Sequence, residues 1–458
     1  MKSFLFKGLL TSQGWLKNAE ICVDDEGLIS SINNDLQINT SELINGYAIP
    51  GFQNAHSHSF QYAMAGLAEQ HKGTGIPDDF WSWRKAMYSL ALSVNPDQFE
   101  AIATMLYAEM LRHGYTSVAE FHYVHHDQKG KPYANLSEMG SRLVSAAQKT
   151  GLKITLVPIF YQKGGFGKEA TEEQRRFISS SIDAYQKLYE ASEKVTQQSP
   201  MANIAVGIHS MRGVDPEAIK KVAKEFPQDV PFHIHISEQL KEIEDAKAYL
   251  NKRPIEWMLD HIEMNNRFHL VHATHLTKEE TIGIAKTKAN VVLCPSTEGN
   301  LGDGIFPLAL YQEHGGQWSI GTDSHVGLNP LEEFRLLDYG QRLTTHKRNS
   351  FYLPEKGDSG LFAIDMALKS GRKAMNNFNE VYFKVGQPFD AVVYDADSPL
   401  LACTSLENLL STIVYASDQK MHLGTITNGK WVITKQGHIN QKEIQANFVK
   451  TIKEMKSR

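Results

Sequence analysis

The sequence predicts an α/β protein: a TIM-like (β/α)8 barrel with a small β-sandwich domain built from both chain termini. Two observations carry this. From about residue 47 onward, short apolar runs alternate with helix-like stretches roughly eight times. The two ends of the chain instead carry short alternating runs, such as ICVDDEGLISSI, DAVVYDA and LGTITNGKWVITK, with the Asn428-Gly429 hairpin signal. Residues 49–378 are therefore assigned to the barrel, and residues 1–48 with 379–458 to one composite β-domain that contains little helix.

Taken in order, the eight predicted barrel strands are Tyr47–His56, Thr116–His122, Lys153–Phe160, Asn203–Ser210, Pro231–Ser237, Phe268–Thr274, Asn290–Thr297 and Trp318–Ser324. The clearest helix between them is NPDQFEAIATMLYAEMLRHG. There Asn95 can cap the start, Pro96 fits the first helical position, and Gly114 supplies a left-handed stop. A chain of 458 residues, 41% of them hydrophobic, is long enough to bury a large core beside a satellite domain.

Composition narrows the function classes. The 47 Lys+Arg and 52 Asp+Glu give a formal net charge of −5, which disfavours nucleic acid or an anionic membrane as the main partner. No run approaches the ~20 apolar residues of a membrane span, and MKSFLFKGLLTSQGW does not read as a signal peptide. Three scattered cysteines (Cys22, Cys294, Cys403) point to a reducing compartment, so a cytoplasmic protein is expected. The 19 histidines matter for their positions.

In a barrel of this kind the chemistry sits at the C-terminal ends of the strands. The first strand ends in Asn54-Ala55-His56-Ser57-His58, and residues i and i+2 of a strand share a face, so His56 and His58 can chelate one ion. A third imidazole from the fifth strand and the carboxylate of Asp323 after the eighth would complete a three-His, one-Asp site. His235 lies nearer the strand end than His233, so His235 is expected as the ligand and His233 in or near the core. Such a set suits one divalent ion; zinc is expected, and ferrous iron also fits.

PGFQNAHSH, the His-x-x-Glu of His235–Glu238, VHATH and GTDS together resemble the amidohydrolase superfamily in its deaminase branch. The resemblance spans nearly the whole chain and implies a single metal; NIAVGIHSMR indeed carries no lysine that would bridge two ions. With such an ion activating water, Asp323 is expected to take the proton, Glu238 to shuttle it, and His272 to orient the attacking oxygen or stabilise developing charge. Non-catalytic scaffolds of this fold would have lost ligands or the shuttle, and all are present here.

The stretches SFQYAMAGLAE, FWSWRKAMY, AEFHYVHHD, IHSMRGV and STEGNLGDGIFP resemble more narrowly the formimidoylglutamate deiminases. That family hydrolyses N-formimidoyl-L-glutamate to N-formyl-L-glutamate and ammonia in histidine degradation. The resemblance implies that Gln61, Arg84, Tyr123, His209 and Arg212 hold the glutamate part, with Arg84 in a loop after the first strand, and that the protein is a homodimer. Arginine suits a dicarboxylate because its planar fork binds carboxylate bidentately. A nucleobase aminohydrolase with the same metal machinery is the alternative within enzymes.

Weaker features are read structurally. His122, His125 and His126 match no standard zinc spacing and are expected to shape the pocket wall. Cys294 is expected as a small buried hydrophobe within the seventh strand. STEGNLGDGIFP lacks a P-loop ending and is expected as a mouth loop, with Ser296, Thr297 and Glu298 unranked. The linkers near 68–79 and 186–201 leave room for a lid.

Overall fold

The computed structural model describes residues 2–34, 42–67, 69, 80–348, 350–352 and 357–455. The chain opens with β1 (Lys2–Thr11), β2 (Gly14–Val23), β3 (Ile29–Asn33) and β4 (Glu42–Pro50). The barrel follows with β5 (Phe52–Ser57), β6 (Tyr115–His122), β7 (Lys153–Phe160), β8 (Ala202–Ile204), β9 (Val206–Ser210), β10 (Phe232–Ile236), β11 (Phe268–His272), β12 (Asn290–Leu293) and β13 (Gln317–Ile320). β14 (Ala391–Asp395), β15 (His422–Thr427), β16 (Lys430–Thr434) and β17 (Gly437–His438) return to the first sheet. That sheet runs β17-β16-β15-β14-β4-β1-β2-β3 and is antiparallel except where β1 meets β4. Both chain ends therefore build one sheet, as the alternating runs predict.

The barrel strands pair in parallel in the order β5-β6-β7-β9-β10-β11-β12-β13, with the short β8 added to β7. β13 meets β5 at a seam closed beyond the strand ends: Thr322 N and Asp323 N donate to His56 O at 3.1 and 3.0 Å, and His58 N donates to Asp323 O at 3.2 Å. Inside the seam the Asn54 amide donates to Thr322 Oγ1 at 2.7 Å. The closing hydrogen bonds thus come from the histidine- and aspartate-bearing segments themselves.

The predicted first strand is two strands. The chain passes from one sheet into the other at Gly51, where an added Cβ would lie 2.2 Å from Thr116 Cγ2. No side chain fits against β6 at that crossing. The helix α2 (Pro96–Arg112) forms as its sequence predicts: the Asn95 side chain accepts from Gln98 N in a capping box, Pro96 opens it, and Gly114 follows at φ 92°.

Other boundaries differ from expectation. The predicted fourth strand is broken into β8 and β9 at Ala205. The seventh strand stops at Leu293, because Pro295 cannot donate to the ladder and its fixed φ starts a helix, Pro295–Leu301, ended by left-handed Gly302. STEGNL is accordingly helix rather than loop, and Cys294 caps it from outside the strand. The C-terminal flank is richer in helix than expected, with Pro399–Ala402, Leu409–Ala416 and Gln441–Glu454. The last packs Ile444 against Met105 and Ala108 of α2. Of the two linkers, 186–201 lies mostly in the helix Ile182–Thr196, and residues 68 and 70–79 lie outside the described residues.

Gly51→Ala should destabilise the fold by about 1–3 kcal/mol in urea unfolding, the usual range for overpacking. Gly299→Ala should be neutral or stabilising, since Gly299 is a helical position where a Cβ meets nothing within 4 Å.

Candidate active site

Four predicted donors meet at the barrel mouth. His56 lies in β5 and His58 just past its end, and their Nε2 atoms are 3.1 Å apart. His235 Nε2, from β10, is 3.0 Å from His56 Nε2. Asp323 Oδ1 lies 3.6 Å from His56 Nε2 and 3.3 Å from His58 Nε2. His58 Nδ1 is 2.9 Å from the Phe121 carbonyl, and His235 Nδ1 is 2.9 Å from the His209 carbonyl. A carbonyl only accepts, so both rings carry Nδ1–H and turn unprotonated Nε2 lone pairs into one shared volume. Burial holds His58 down at about 3, and burial with neighbouring histidines holds His56 and His235 well below their usual value. Neutral imidazoles converging this closely, beside a carboxylate, fit a divalent cation. His233 points elsewhere: it stacks on His269, and its Nε2 faces the Ala374 carbonyl at 3.2 Å.

Glu120 fixes the two-histidine segment. Its carboxylate accepts from Ser57 Oγ at 2.7 Å and from Ser59 N at 2.6 Å, on either side of His58. The sequence reading missed this role, although Glu120 stands at the end of the second predicted strand. Burial raises its carboxyl to about 7 against those hydrogen bonds.

The predicted proton-handling groups are adjacent. His272 Nε2 lies 3.9 Å from Glu238 Oε1 and 3.7 Å from Asp323 Oδ2. Burial lowers the His272 pKa, but the carboxylates of Glu238, Glu298 and Asp323 outweigh it and raise it to about 10. Burial likewise raises Asp323 to about 7, opposed by His272. Of the three unranked residues, Glu298 reaches the site: its Oε1 is 3.3 Å from His272 Nδ1 and accepts from Cys294 N at 2.9 Å. Ser296 bonds Glu333, and Thr297 bonds Ser324. Cys294 is buried, and burial pushes its thiol up.

A cavity of about 450 Å³ opens from these groups and is lined by all five predicted substrate contacts. Gln61 donates its amide to Tyr123 Oη at 2.9 Å, while its buried Oε1 has no partner among the described residues. His209 stacks on Tyr161 with ring centroids 3.9 Å apart. Arg84 belongs to the helix α1 (Phe80–Ser93), not to a loop. Arg212 reaches the cavity but is engaged: its Nη2 donates to Glu238 Oε2 at 2.9 Å, and its Nε lies 3.9 Å from Glu242. Tyr88, Tyr161 and Lys168 also line the cavity and were not singled out from sequence. His125 and His126 bond the carbonyls of Ile159 and Ile178, and His122 packs edge-on against His125; none of the three is among the residues that line the cavity, where the sequence predicts them.

The model of the amidohydrolase family matches residues 47–432. The chain belongs to that family. It is 38% identical over 457 residues to the formimidoylglutamate deiminase of Pseudomonas aeruginosa, covering 99% of this chain and 100% of that one. The crystal structure of an amidohydrolase from Brucella melitensis superposes with a TM-score of 0.93 at 38% identity, covering 99% of this chain and 100% of that one. An adenosine deaminase from Xanthomonas campestris, solved with bound zinc, shares the fold at a TM-score of 0.82 and 18% identity, over 100% of this chain and 98% of that one.

His235→Ala should lose its divalent ion on dialysis, measured by elemental analysis, while remaining folded. Glu120→Ala should hold metal about 10–100-fold more weakly in chelator competition, the usual cost of removing a group that orients ligands. Unchanged metal affinity in the second variant would show that Glu120 only stabilises the fold.

Proposed function

We infer that the protein hydrolyses N-formimidoyl-L-glutamate to N-formyl-L-glutamate and ammonia. The observation that carries this reading is one chamber with three parts: converging histidine donors, the Glu238–His272–Asp323 cluster, and a wall bearing Arg84 and Arg212. The full-length likeness to the Pseudomonas aeruginosa enzyme supports it. A dicarboxylate amidine needs both a hydrolytic centre and cationic groups, and this cavity offers both, with Arg212 paired to Glu238 of that centre.

In the proposed mechanism, His56, His58, His235 and Asp323 hold one divalent ion, zinc or ferrous iron. Such an ion supplies Lewis-acid activation that brings the pKa of water toward ~7. Asp323 accepts the proton released as the water oxygen adds to the amidine carbon. Glu238 delivers a proton to the terminal nitrogen, whose bond to carbon breaks with ammonia as the leaving group. His272, held at Nδ1 by Glu298, presents Nε2 between Glu238 and Asp323 and keeps the attacking oxygen in line. Arg212 binds Glu238 Oε2 and so leaves Oε1 facing His272. Gln61 Oε1 is an unused acceptor suited to a substrate N–H. Water and amidine are consumed, and the formyl oxygen comes from water.

No helix among the described residues is long and apolar enough to cross a membrane, and the three cysteines are free, which supports the cytoplasmic assignment.

The metal-loaded protein should release ammonia from N-formimidoyl-L-glutamate and none from guanine or cytosine; the reverse pattern would overturn the substrate assignment. Glu238→Gln should keep its metal and lower kcat about 10²–10⁴-fold, the usual worth of general acid–base catalysis. Arg212→Met should cripple turnover with unchanged metal content. Equal metal loss would make Arg212 structural.

A further inference from the structure

One wall of the cavity contains a small network whose hydrogen-bond count is uneven. Gln174 is buried behind it, at 1% exposure. Its Oε1 accepts from Thr171 N at 2.8 Å, which fixes the amide orientation and turns the NH2 group toward two tyrosines. That NH2 donates to Tyr161 Oη at 2.7 Å and to Tyr88 Oη at 3.3 Å. Arg84 donates from Nε to Tyr88 Oη at 2.6 Å and from Nη2 to Tyr161 Oη at 3.4 Å. Both tyrosine oxygens therefore act as acceptors from groups that can only donate there. Even if one hydroxyl donates to the other, one O–H remains without an acceptor among the described residues. Burial pushes the Tyr88 hydroxyl up, so the proton stays on oxygen. Both tyrosines line the cavity, and Gln174 does not.

A cluster with spare donors and a guanidinium is complementary to an acceptor-only anion. We propose that the hydroxyls of Tyr88 and Tyr161 join Arg84 in a carboxylate subsite, with Gln174 as the positioning residue that keeps at least one tyrosine hydroxyl turned outward as a donor. The assignment rests on the substrate reading above and adds two tyrosines to it. Tyr161 also stacks on His209, so the subsite is continuous with the groups expected to hold the glutamate part.

The test uses glutarate as an acyclic dicarboxylate probe, titrated calorimetrically into the metal-loaded protein, alongside steady-state kinetics with N-formimidoyl-L-glutamate. Tyr161→Phe and Tyr88→Phe retain the rings and remove only the hydroxyls. At least one of them should weaken glutarate binding and raise KM by about tenfold or more, as expected for a hydrogen bond to a charged acceptor, with kcat and metal content little changed. Gln174→Glu should weaken glutarate binding further, because a carboxylate behind the tyrosines would accept the very protons the subsite offers. That effect distinguishes positioning from packing, since the substitution is nearly isosteric and does not touch the cavity. Absence of glutarate binding to the wild-type protein, or unchanged affinity in all three variants, overturns the subsite. Weakened glutarate binding without ammonia release from N-formimidoyl-L-glutamate leaves the subsite standing and removes the substrate assignment. Ammonia release with unaltered KM and affinity in the variants does the opposite.

Discussion

Imidazole lone pairs about 3 Å apart repel one another, and the mouth of this barrel brings the Nε2 atoms of His58 and His235 each to about that distance from Nε2 of His56. The Phe121 and His209 carbonyls fix the rings of His58 and His235 by accepting hydrogen bonds from their Nδ1–H groups. Glu120 grips the backbone and hydroxyl on both sides of His58, and the seam between β5 and β13 closes through His56 and Asp323 themselves. The clustered imidazole lone pairs and the buried Asp323 carboxylate are a cost in such a setting unless a positive charge stands among them. The seam, the strand ends and the buried carboxylates make structural sense together once a cation is admitted.

Charge is balanced locally, so the net −5 of the chain says little about its affinity for an anion. Burial disfavours a charged Arg212, but Glu242 and Glu238 overcome it and raise its pKa. The same ion pair immobilises one oxygen of Glu238 and leaves the other toward His272. A carboxylate held at Arg212, as proposed above, would therefore compete with the Glu238 oxygen that Arg212 binds.

Much of this was legible in the sequence because it follows the strand period. His56, His58 and His235 sit where a two-residue repeat and a strand end put them, and β7 runs over the residues its apolar run marks. The helix capped by Asn95 was legible from its local punctuation. What was not legible depends on contacts between distant segments. Glu298 faces His272 because Pro295 converts the end of a predicted strand into a helix. The Gln174 amide meets Tyr88 and Tyr161 across 86 and 13 residues of chain. The split at Gly51 is invisible in an unbroken apolar run, since what breaks it is the approach of Thr116.

The two classes of functional group also reach the site by different backbone routes. The candidate ligand imidazoles of His56, His58 and His235 are not among the residues at positive φ. The groups proposed to handle protons come from positions that leave the strand regime: Glu238 follows Ser237 at φ 54°, while His272 and Asp323 themselves lie at φ 69° and 44°. For residues with a Cβ that region costs roughly 1–2 kcal/mol each. Regular strands can deliver ligands to a fixed point because alternation already aims them inward. Bringing Glu238, His272 and Asp323 together from three strand ends demands directions that alternation cannot supply, and the left-handed residues provide them. The strain is held by the surrounding core, whose barrel strands β5, β6, β10, β11 and β12 are buried along their whole length.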